Sequence, residues 1–94
     1  MALRFSWDPR KASLNERKHG VTFLEATTAF ADALSITIPD PDHSIFEERY
    51  LLLGLSDLGR LLVVAHAEHG EIIHLISARR ATPSERRAYE EGPQ

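Results

Sequence analysis

From Leu34 the period of this chain changes to two, up to the end of the last strand, and that change constrains the fold more than any other feature. Alternation of this kind makes strands with one buried face. It predicts a strand over Leu34–Ile38, closed by Pro39-Asp40-Pro41-Asp42, and two more over Glu48–Leu55 and Arg60–Glu68, joined by Ser56-Asp57-Leu58-Gly59. A fourth, Glu71–Ala78, follows His69-Gly70, a two-residue link suited to a type I′ turn because glycine supplies the positive φ. Leu3–Trp7 alternates in the same way, with its aromatics on the apolar side, and reads as a short first strand.

The remaining segments carry helical signals. Asp8-Pro9 is an N-cap followed by proline at the first helical position, and Gly20 closes a helix ending at His19. Thr22-x-x-Glu25 is a capping box, and Phe23, Ala26, Thr27 and Phe30 recur at helical spacing, predicting a second helix over residues 22–31. Thr82-Pro83-Ser84-Glu85 repeats the signal and opens a last helix through Glu91. The order βααββββα, with sequential hairpins, implies an α+β domain: an antiparallel sheet with helices packed on one face. At 94 residues there is room for one domain, over residues 1–91, with 92–94 as a tail.

Composition narrows the chemistry. There is no cysteine, which excludes disulfides, thiolate zinc sites and cysteine nucleophiles. No apolar run approaches the ~20 residues of a membrane span, and Met1-Ala2-Leu3-Arg4 does not begin a signal peptide, so a cytoplasmic protein is expected. The net charge of −3 argues against a surface coated for nucleic acid, but the charge is polarised. Residues 1–20 hold five basic and two acidic groups, whereas 21–48 hold six acidic groups and no Lys or Arg.

If the turn is centred on His69-Gly70, His66 faces Ile73, Val64 faces Leu75 and Arg60 faces Arg79. Like charges directly opposite one another destabilise a sheet, so that arginine pair calls for an anion, either a phosphate or a carboxylate such as Glu47, Glu48 or Glu85. The same register sends His66 and His74 to opposite faces and leaves His69 in the turn, which counts against a metal site among them. His19, beside a helix C-terminus, is either a cap or a proton-transfer group near a basic helix. No Gly-x-Ser-x-Gly elbow supports a serine nucleophile.

Taken in order, Phe5-Ser6-Trp7-Asp8-Pro9 with Lys11, Asn15, Lys18-His19-Gly20-Val21 and Phe23, Phe30-Ala31-Asp32, Pro41-Asp42-His43-Ser44, Glu48-Arg49, Gly59-Arg60 and Ile76-Ser77-Ala78-Arg79-Arg80-Ala81 with Glu85 and Tyr89 resemble the BrnT family over nearly the whole chain. The resemblance implies a RelE-like fold and a ribonuclease toxin of a type II toxin–antitoxin module that inhibits translation. It implies no cofactor or metal. The partner it implies is a BrnA-type ribbon-helix-helix antitoxin that wraps the toxin in a heterotetramer and alone carries the contact to operator DNA. In the implied mechanism a 2′-hydroxyl attacks the adjacent phosphodiester while cationic side chains stabilise the developing charge. The family's functional arginines fall on Arg79, Arg80 and Arg60, with His66 or His19 as proton carrier. Lys11 and Lys18 would steer the RNA, and Trp7 would either stack a base or belong to the core. Two positions depart from the pattern: His69 and His74 stand where basic residues are common, which weakens phosphate binding at neutral pH or lets a histidine supply acid–base chemistry. The alternative function is a non-catalytic module that acts only as co-repressor with its antitoxin.

Overall fold

The computed structural model describes residues 3–42 and 48–92, so the His43-Ser44 motif and Glu47 lie outside the described residues. Eight elements follow in the expected order: β1 (Arg4–Ser6), α1 (Pro9–His19), α2 (Phe23–Ala29), β2 (Ile36–Pro39), β3 (Arg49–Leu55), β4 (Leu61–His69), β5 (Ile72–Arg80) and α3 (Pro83–Glu91). The helix boundaries sit where the capping chemistry puts them. Asp8, Thr22 and Thr82 each accept a hydrogen bond from the first turn of their helix, and Gly20 closes α1 in the left-handed region, at φ 69°.

The strands form one sheet in the order β1-β5-β4-β3-β2. The three hairpin pairings are antiparallel, but β1 joins β5 in parallel, so the sheet is mixed. The parallel edge follows from chain direction, since β1 enters beside β5 and α1 and α2 then carry the chain across to the far side of the sheet. Val21, Phe23, Ala26, Ala29, Leu52, Leu62, Val64, Leu75 and Ala78 form the core between α1/α2 and one sheet face. Fully burying a side chain such as Phe23 or Leu62 contributes about 1.5–3 kcal/mol. At Gly54 an added Cβ would stand 2.7 Å from the carbonyl oxygen of Ala29, and that closeness lets α2 lie on β3. The last helix does not share this layer. Ala88 and Glu85 of α3 close a cavity of about 220 Å³ with Ile36, Ile38, Leu51, Leu53 and Val63, on the face away from α1 and α2.

The last hairpin departs from the expected register. His69 pairs with Ile72, which makes Gly70-Glu71 the turn, and a bulge between Ala65 and His66 leaves Ile76 unpaired. Beyond the bulge Val63 faces Arg79 and Leu62 faces Arg80, while Arg60 precedes β4 altogether. Arg60 and Arg79 therefore do not oppose each other. A residue inserted on one strand inverts the alternation beyond it, and plain period-two counting from the turn has no means of registering that.

Candidate functional site

Arg60, Arg79 and Arg80 gather at one end of the sheet but on two faces. Ala81 N–H bonds to Leu61 O at 2.8 Å, which brings the exit of β5 beside the entry of β4 and so beside Arg60. Leu62 and Arg80 share the α1/α2 face, and Val63 and Arg79 share the face that α3 partly covers.

Arg60 is held by a carboxylate that the capping box was expected to use. The Thr22 side chain does cap Glu25 N–H at 3.0 Å, but the Glu25 carboxylate turns away from the helix start. It is buried, accepts from Ser56 Oγ at 2.7 Å and from Arg60 Nε at 2.9 Å, and is bridged a second time by Arg60 Nη2. Arg60 Nη2 also donates to Gly20 O at 3.1 Å, which ties the arginine to the end of α1 beside Lys18 and His19. The Arg60 guanidinium is the main cause holding the Glu25 carboxyl below its ordinary range; burial opposes it, and Ser56 and the charge of Arg80 reinforce it.

Arg79 is clamped from the other face. Glu85 Oε1 and Oε2 accept from Arg79 Nη1 and Nη2, both at 2.8 Å, while Oε1 also accepts from Thr82 N–H at 2.8 Å. One carboxylate thus completes the capping box of α3 and fixes Arg79. Arg79 pulls the Glu85 carboxyl down to about 2, against the effect of burial and with help from Thr82. Glu85 was one of the three carboxylates expected to neutralise the arginines; for Arg60 that carboxylate is Glu25. Arg80 is exposed and donates no side-chain hydrogen bond among the described residues.

Asn15 holds the strand that carries these arginines. Its buried amide donates to Val21 O at 3.0 Å and Ala78 O at 2.8 Å and accepts from Ala78 N–H at 3.0 Å. Pairing between β1 and β5 ends at His74, so the Asn15 side chain takes the place of a neighbouring strand for the outer edge of β5, one residue before Arg79. A polar residue within a helix gives no such signal in sequence.

The other candidates are scattered. Lys11 and Lys18 are exposed on α1, and His19 is half-buried at its end. His66 is 1% exposed, with Nε2 3.3 Å from Glu68 Oε2 and its ring packed on Phe30 and Tyr50 at centroid distances of 4.9 and 5.8 Å. Trp7 packs edge-on against Phe23 at 6.0 Å and is half-buried against the core. Among the described residues no group of three or more His, Asp or Glu is arranged to hold a metal ion. No helix among them is long and apolar enough to cross a membrane.

Residues 7–85 match the family described as "Ribonuclease toxin, BrnT, of type II toxin-antitoxin system". The crystal structure of the Brucella abortus ribonuclease toxin BrnT is similar in fold, with a TM-score of 0.67 at 20% identity, covering 86% of this chain and 99% of that one. No curated protein matches the chain.

Proposed function

Because the chain belongs to the BrnT family, ribonuclease toxins of type II toxin–antitoxin systems, we propose that it cleaves RNA in the cytoplasm without a metal ion, arginine side chains supplying the positive charge that the reaction needs. The family match over residues 7–85 carries this reading. The grouping of Arg60, Arg79 and Arg80 at one end of the sheet supports it. Arg80, which donates to no carboxylate among the described residues, binds the neighbouring phosphate from the α1/α2 face. Arg79 then stabilises the charge that develops on the phosphoryl oxygens as the 2′-hydroxyl attacks, a role for which a fixed cation is suited because it needs no reorganisation. Arg60 backs the same end from the α1/α2 face, and Lys11 and Lys18 steer the strand along α1. Of the two histidines first considered as proton carriers, His66 is sealed in the core and His19 stands half-buried at the end of α1, on the side of Arg60. Trp7, half-buried with its ring held against Phe23, is the residue that would stack a base.

The family implies an antitoxin partner, and we take it to be of the BrnA type, with a ribbon-helix-helix part that binds operator DNA, in a heterotetramer. Induced expression tests the activity: the chain arrests growth, and Arg79→Ala relieves the arrest while the protein remains folded. A stable R79A/R80A protein that arrests growth as well as the native chain would end the assignment. One observation favours a second reading. Arg60 and Arg79 are each already closed on a carboxylate, as in a binding module that acts only as co-repressor. A growth-neutral native chain that still shifts operator DNA when mixed with its antitoxin would establish that reading instead.

A further inference from the structure

We propose that His74 is the proton-transfer residue of this cleavage and that Ser6 is its positioning residue, an inference that rests on the ribonuclease reading above. Ser6 and His74 are register partners across β1 and β5, and Ser6 Oγ lies 2.9 Å from His74 Nδ1. The hydrogen bond fixes the ring and leaves Nε2 free of any protein partner among the described residues, while the side chain stays half-exposed. An imidazole anchored through one nitrogen with the other facing solvent is the arrangement a general base requires.

Its position relative to the arginines is as informative as its anchoring. The bulge at Ile76 puts His74, Ser77 and Arg79 on one face of β5, the face away from α1 and α2. Four regular strand steps separate His74 and Arg79, roughly 13 Å. An arginine and a histidine leaning toward each other across that distance leave room for one phosphodiester above Ser77. His19 and Arg60 lie on the opposite side, at the end of α1, and cannot share a phosphate with Arg79 in this way. The charged and titratable groups on the His74 face are Arg4 of β1, Asp40 at the end of β2, Arg49 of β3, His69 of β4, Arg79 of β5 and Glu85 of α3. Two of these are acidic: Glu85 is bound to Arg79, and Asp40 lies beside Arg49, whose strand is two away from that of His74.

The step balances without a cofactor. Nε2 takes the proton of the 2′-hydroxyl, and the 2′-oxygen bonds to phosphorus as the bond from phosphorus to the 5′-oxygen breaks. The products are a 2′,3′-cyclic phosphate and a 5′-hydroxyl whose proton comes from water, and the imidazolium returns its proton to solvent. Arg79 faces the phosphoryl oxygens throughout.

Single-turnover cleavage of a short RNA by the purified chain, followed from about pH 5 to 8, tests this. We expect the native rate to rise with pH across that range. His74→Ala should lose about 10²–10⁴-fold and flatten the profile. His74→Arg preserves positive charge and should also be slow and flat. Ser6→Ala should keep His74 and its activity in part but move the midpoint of the profile. Circular dichroism and melting curves establish that each variant is folded. The proposal is overturned if H74R cleaves at the native rate, which would make the residue a phosphate ligand. It is equally overturned if H74A keeps the native profile, or if His19→Ala carries the loss. In each of those outcomes the native chain still cleaves RNA and the ribonuclease reading stands; a native chain that cleaves no RNA at any pH refutes both.

Discussion

Replacing Asn15 with alanine should remove much of the stability of the domain, although Asn15 touches no arginine. Three hydrogen bonds disappear, at about 1 kcal/mol each by the usual net value. Their partners make the loss worse: Ala78 and Val21 are 0% exposed, so one N–H and two C=O groups are left in the core beneath α1. A buried unsatisfied group costs about 1–3 kcal/mol, and water entering the space left by the amide recovers part of it. The sum is about 2–4 kcal/mol, a large share of the roughly 5–15 kcal/mol that holds a small domain together. For a domain of this size it corresponds to a fall in Tm of about 10–25 °C. Urea unfolding at pH 7 measures the effect, and Asn15→Asp sharpens it. The carboxylate can still accept from Ala78 N–H but turns an oxygen toward the carbonyls of Val21 and Ala78, so N15D should be no more stable than N15A. If N15A unfolds within about 0.5 kcal/mol of the native chain, or N15D matches the native chain, the view that this amide stands in for a strand is wrong.

Two further expectations follow from particular contacts. Gly54→Ala should destabilise by about 1–3 kcal/mol, because the new methyl group meets the Ala29 carbonyl and α2 must move away from β3; urea midpoints will show it, and a neutral result would mean that α2 is not seated as described. The Glu85 carboxyl is depressed to about 2 in the folded chain, so its contribution is present above the ordinary value of 4.5 and is lost as pH falls from there toward about 2. Glu85→Gln should therefore be less stable than the native chain at pH 7, by about 1 kcal/mol or less given how exposed the Arg79 pair is, and the two proteins should converge by about pH 2. Thermal melts across that interval test the sign, and a gap that widens on acidification would contradict it.

What the sequence made legible was the local chemistry. Asp8-Pro9, Thr22, Thr82-Pro83 and Gly20 act within a few residues of themselves, and the helices begin and end where those residues place them. The strands were legible for the same reason, since alternation is a property of each strand alone. What failed to read correctly depended on distant partners. Glu25 satisfies the pattern of a capping box yet turns to Arg60, 35 residues away, because two charge-assisted bonds from the guanidinium to the buried carboxylate outcompete one exposed N–H. The side of the sheet that α3 covers is decided by which apolar face α1 and α2 leave uncovered. Asn15 and Ser6 are unremarkable polar residues until the edge of β5 is beside them. The arginines were named from their motif, but their grouping at one end of the sheet arises from a different path than the facing pair the turn had suggested.

The bulge in β5 also has a meaning that can be put as parity. In an uninterrupted strand only residues an even number apart share a face, so His74 and Arg79, five apart, would belong to opposite faces of the sheet. The unpaired Ile76 changes odd to even. Deleting Ile76 would remove a residue that no ladder position needs and leave Ile72–Leu75 and Ser77–Arg80 on their present sides; adding a second residue there would put His74 and Arg79 six apart, again on one face, whereas straightening the strand with its present residues would part them. The shared face of His74 and Arg79 thus depends on one residue standing outside the ladder.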